Sequence, residues 1–154
     1  MWDAKPIIFY AAFFFKSSTV SAESFNLNIY FRFDDQETMN LSENEKYLQI
    51  KASSVWEDSF GDFGIADCLG YMTVSINSGT KFHAYCEGEN QNNDKFWLKF
   101  YRNSEDMDAG TGISSYINGT GKYKKFIGIQ CPYAVKYYKD RAFFKQKCKL
   151  DTEY

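Results

Sequence analysis

The sequence predicts an all-β fold: a single antiparallel, closed β-barrel of about eight strands with two cross-strand disulfides. Three observations carry this. Aromatic residues are 19% of the 154 positions, with 15 Phe and 12 Tyr, and such side chains favour strands. Apolar residues recur with a period of two in short segments at hairpin spacing, and no segment shows a sustained helical period with caps. Four cysteines, Cys68, Cys86, Cys131 and Cys148, fall where strand register can pair them. Closure is favoured over an open sheet because it removes edges that would aggregate. With 44% hydrophobic and 25% charged residues and only 2 Pro, the chain is globular rather than disordered and supplies one core.

The elements follow in order. Pro6 to Phe15 reads PIIFYAAFFF, with Lys5 before it and Val20-Ser21-Ala22 after it. That is the charged, apolar, small-residue order of a signal peptide. Residues 1–22 are therefore expected to be cleaved after Ala22, leaving residues 23–154 as a secreted or periplasmic barrel domain. No apolar run reaches the length of about 18 residues that a membrane helix needs, so no transmembrane anchor is expected after cleavage.

Phe25 to Phe33 alternates cleanly, with Phe25, Leu27, Ile29, Phe31 and Phe33 on one face. Asp34 to Lys46 is acidic and reads as a loop or one short helical turn. Tyr47 to Val55 is a weaker strand, and Trp56 to Gly64 is a connection. A hairpin follows in which Cys68 faces Cys86, Gly70 faces Ala84 and Met72 faces Phe82, about a five-residue loop from Ser75 to Gly79. KFWLKFY, Lys95 to Tyr101, turns Phe96, Leu98 and Phe100 inward. Arg102 to Gly112 reads as a second acidic loop, and Ile113–Ile117 and Tyr123–Gln130 as short strands.

The C-terminal stretch pairs about Lys139-Asp140. That register sets Cys131 opposite Cys148, Tyr133 opposite Gln146, Val135 opposite Phe144 and Tyr137 opposite Ala142. Lysines and an arginine occupy the other face, as in a half-buried antiparallel hairpin. Spacing alone leaves three connectivities open. Register selects Cys68–Cys86 and Cys131–Cys148, both on apolar faces. Export would place them in an oxidising compartment.

Ile117-Asn118-Gly119-Thr120-Gly121-Lys122-Tyr123, with Gly128 a few residues on, forms a glycine motif. It resembles the I-x-G-[TS/A]-G-x-[FY] motif of the allene oxide cyclase and dirigent-like β-barrels, and of small secreted bacterial proteins of similar type. The acid-rich Asp58 to Gly64 before a Cys-containing strand is similar to those secreted proteins as well. The resemblance spans Asp58 to Leu150 and implies the barrel fold. None of the plant cyclase's catalytic residues has a match here, so it implies no cyclase activity.

No catalytic constellation is legible. His83 is the sole histidine and lies off the Phe82/Ala84 face, as a surface side chain. One histidine and paired cysteines leave no usual transition-metal set, and no cofactor is expected. Glu87 to Asp94, and Asp106 with Asp108, concentrate oxygen ligands without the EF-hand spacing, and read as solvated loops. Asn40 and Asn118 each begin a glycosylation sequon. The net charge of −2 argues against a nucleic-acid partner. From Lys122 to Lys149 there are nine Lys or Arg and one acid. Outward parity groups Tyr71, His83, Tyr85, Trp97 and Tyr101 with Lys136, Arg141, Lys145 and Lys147 as a candidate surface patch for a partner or a homo-oligomer. The leading expectation is a non-catalytic exported barrel that holds an apolar small molecule or docks a partner. A cyclase or isomerase acting on a lipid-like ligand and a structural envelope component are the alternatives.

Overall fold

The structure is a computed structural model describing residues 23–105 and 109–150. The leader segment with its cleavage point, Asp106 and Asp108 lie outside the described residues. Eight strands run β1 (Glu23–Ser42), β2 (Glu45–Asp58), β3 (Phe63–Ser75), β4 (Gly79–Asn90), β5 (Lys95–Ser104), β6 (Ala109–Gly119), β7 (Gln130–Tyr138) and β8 (Arg141–Leu150). Each pairs antiparallel with its neighbour in sequence, and β8 closes on β1. The connections are hairpins because apolar alternation leaves every strand with one inward face. No helix among the described residues is long and apolar enough to cross a membrane.

Both disulfides form with the expected connectivity, Cys68–Cys86 and Cys131–Cys148. The registers agree: Met72 faces Phe82, Gly70 faces Ala84, Val135 faces Phe144 and Tyr137 faces Ala142. All four cysteines are buried. The Ser75–Gly79 loop is tighter than expected, since Ser75 and Gly79 themselves pair.

Three expectations are corrected. Asp34 to Lys46 is neither loop nor helical turn. It is the continuation of β1 and the start of β2, paired from Asp35↔Lys51 to Ser42↔Glu45 after an irregularity at Phe33/Asp35. Exposed strand pairs tolerate charge on both faces, so composition concealed the ladder. Tyr123 to Gln130 is not a strand up to Gln130. Gly121–Phe126 is a 3-10 helix that buries Tyr123 and Phe126. Finally, the expected loop from Arg102 to Gly112 is strand at both ends, with β5 reaching Ser104 and β6 starting at Ala109.

The glycine motif shapes this helical turn. Gly121 has φ +47°, and a Cβ there would overlap the Asp94 carboxylate. A Cβ on Gly119 would lie 2.6 Å from the Tyr123 carbonyl oxygen. The motif thus folds the β6–β7 connection back across one end of the barrel. Gly121→Ala should lower stability by about 1–3 kcal/mol, from left-handed strain and displacement of Asp94. A urea midpoint indistinguishable from that of the parent would remove this role.

Candidate functional site: an apolar cavity at the open end

The interior is asymmetric because the inward side chains differ in size along the barrel. At the end that carries the 3-10 helix, Phe25, Trp56, Phe96, Tyr116, Tyr123 and Phe126 pack as one aromatic cluster, with ring centroids 4.8 Å apart for Phe25/Phe126 and 5.1 Å for Trp56/Phe96. The Phe96 ring lies against Gly88, where any Cβ would overlap it. This end is filled.

Towards the other end the inward positions carry small side chains: Ala52, Cys68, Gly70, Ala84 and Ala142. The space they leave is a cavity walled further by Phe31, Phe33, Phe82, Phe100, Tyr133, Val135, Tyr137 and Phe144. Its volume is about 50 Å³. It is therefore slender. Phe33 and Tyr137 stack at 6.0 Å, and Tyr133 and Phe144 lie 4.5 Å apart.

Polar groups near the cavity are few. Burial pushes the Tyr133 phenol well above its ordinary range, with the neighbouring Tyr137 adding to the effect and Arg102 opposing it. Burial likewise raises Tyr137, again against Arg102. Both phenols are therefore neutral at physiological pH. The Tyr133 hydroxyl donates to the Tyr101 carbonyl oxygen at 3.3 Å. Deeper in the barrel, Ser114 Oγ donates to Gln146 Oε1 at 2.6 Å, and Gln146 Nε2 donates to Cys148 Sγ at 3.0 Å. That network is buried and internally satisfied, as a structural cross-tie should be.

The candidate surface residues separate into two groups. On the outer wall Tyr47, Tyr71, His83 and Tyr101 form a row of rings across β2 to β5, with His83 stacked on Tyr71 at 5.1 Å and edge-on to Tyr101 at 4.9 Å. Tyr85 is exposed on the same wall, and Trp97 Nε1 donates to Glu87 at 3.0 Å. Lys136, Arg141, Lys145 and Lys147 lie on β7 and β8, which β6 separates from that row. The structure does not bring the aromatic and basic groups together. Glu87 instead pairs with Lys95 at 2.6 Å, and no cluster of metal-binding side chains occurs among the described residues.

Sequence reasoning missed Arg102. It belongs to the inward set Phe96, Leu98, Phe100, Arg102 and is 0% exposed. The period of two, carried one step past Tyr101, was the signal available; the acidic residues after it obscured the strand.

No family model and no curated protein matches the chain. A crystal structure of a conserved protein of unknown function from Rhodopseudomonas palustris is similar in fold, with a TM-score of 0.68 at 11% identity, covering 84% of this chain and 99% of that one. The likeness is one of fold and carries no activity. The two disulfides fit an extracytoplasmic location.

Proposed function

We propose that this protein is an exported, non-catalytic barrel that holds an apolar small molecule in the cavity at its open end. The observation that carries the reading is the asymmetry of the interior: one end filled with aromatic rings, the other lined by Ala, Cys and Gly around an apolar space. A barrel with no ligand to accommodate gains by filling such a space, since voids cost stability. Small-molecule sites are usually concave and lined mostly by apolar and aromatic side chains, as this one is. The likeness of the glycine motif to allene oxide cyclase and dirigent-like barrels supports the same use of the interior. The cavity walls present two neutral phenols and no carboxylate or imidazole among the described residues, a lining suited to holding a ligand rather than transforming it.

The test is titration of the purified protein with a neutral apolar fluorophore. Saturable binding is expected, weakened at least about ten-fold in Ala52→Phe, which fills the space from β2; one extra apolar group in a pocket already changes affinity by that order. Binding unchanged by a correctly folded Ala52→Phe would refute the site.

A second reading concerns the outside of the barrel. Val55 faces Ile65 and Leu69 faces Tyr85 across neighbouring strands, and all four are more than half exposed. These two exposed apolar pairs flank a polar row of Ser53, Asp67 and Glu87 on the same wall. Exposed apolar groups rimmed by polar ones mark contact surfaces, and we assign this one to a second copy of the chain. Light scattering should give twice the monomer mass or more, reduced by Leu69→Lys. A monomer at all concentrations would exclude it.

A further inference from the structure

Arg102 is an unusual resident for the inside of a barrel. It is fully buried, and its Nε, Nη1 and Nη2 have no hydrogen-bond partner. No ion pair to it occurs among the described residues. Its guanidinium sits 5.3 Å over the Tyr137 ring, a contact that recovers only part of what dehydration costs a cation. Arginine cannot escape that cost by losing its proton. On the neighbouring strand, Gly110 makes room for it, since a Cβ there would come within 2.8 Å of Nη1. A second orphan lies at the same end: Thr80 Oγ1, fully buried and unpartnered, on a residue that faces Ser104 across β4 and β5.

The position ties this charge to the cavity. Tyr137, under the guanidinium, is a cavity wall, and so are Phe100, two residues before Arg102, and Phe82, its cross-strand partner. We propose that Arg102 is the anchor for an anionic head group, and that the ligand of the barrel is a carboxylate with an apolar tail. This rests on the cavity reading above and specifies the chemistry of its occupant. A carboxylate fits because its two oxygens match the guanidinium fork. Its single negative charge also balances a single buried cation. A phosphate monoester would bring a second negative charge, and no second cation is buried among the described residues to meet it. The tail then occupies the slender space between Ala52, Ala84 and Ala142.

The experiment compares decanoate with decanol, equal in tail and different in head, by displacement of the neutral fluorophore from the parent and from Arg102→Met. The parent should bind decanoate at least about ten-fold more tightly than decanol, the range expected of a charge-assisted hydrogen bond. Arg102→Met should keep decanol binding and lose the preference. Decanoate should raise the thermal midpoint of the parent and leave that of the variant unmoved. If the parent binds both probes equally, or if Arg102→Met keeps the preference, the anchor is refuted while the apolar cavity stands. If neither probe binds the parent, the cavity reading itself fails and this one falls with it.

Discussion

Removing the disulfides is expected to be the most damaging change available in this barrel. They bridge residues 18 and 17 apart in sequence, and the loop-entropy model assigns each about 3 kcal/mol. Against a usual domain stability of about 5–15 kcal/mol, losing both leaves little. The two should not be equal. Cys68–Cys86 forms part of the cavity wall, so its replacement by alanines enlarges a space already open. Cys131 and Cys148 are fully enclosed, and Cys148 Sγ accepts from Gln146 Nε2 in a buried network. Cys131→Ala with Cys148→Ala therefore also removes one of the two acceptors of the Gln146 amide, leaving the Tyr116 hydroxyl, which costs about 1 kcal/mol more. Urea unfolding of the parent, each double variant and the fully reduced protein gives the ranking. Equal midpoints for oxidised and fully reduced protein would show that the sheet holds without them.

The covalent cross-links and the last hairpin were legible because they are local. Turn position and period two set the register, and the register sets which cysteines meet. Closure was not legible in the same way. The pairing of Phe25 with Cys148 and of Ile29 with Phe144 joins the first strand to the last, and no local pattern marks either as the other's neighbour. The cavity needed one further step. Once register is known, the volumes of the inward side chains distinguish a filled end from a hollow one: Trp56 against Ala52 on β2, Phe96 against the glycine and alanine positions of β3 and β4. Arg102 and the Asp34–Lys46 ladder share a different cause. In both places charged residues were read as loop, although a hairpin that leaves the body of the barrel exposes both faces. A strand entering a ligand site can likewise turn a charge inward. Departures from binary pattern are common at functional positions, and Arg102 is the clearest departure here.

Alkaline unfolding is the second large effect, and its sign follows from four phenols. Burial raises Tyr116, Tyr123, Tyr133 and Tyr137 in the folded barrel. A hydrogen bond from Gln146 Nε2 to the Tyr116 hydroxyl opposes that rise without cancelling it. In the unfolded chain these groups ionise near the ordinary tyrosine value of about 10. Above that pH the folded state holds protons that the unfolded state has released, so stability falls as pH rises. Each withheld proton contributes up to about 1.4 kcal/mol per pH unit, and water reaching the partly exposed Tyr137 reduces its share. Below about pH 10 both states keep these protons, and the four groups confer no pH dependence. The expected record is a late, cooperative rise in tyrosinate absorbance that coincides with loss of the β-sheet circular dichroism signal. Tyr116→Phe, which removes one of the phenols fully enclosed at the aromatic end, should move that transition to higher pH. A late phase that appears while the sheet signal is intact would mean that these phenols ionise inside the barrel, and that its aromatic end admits water.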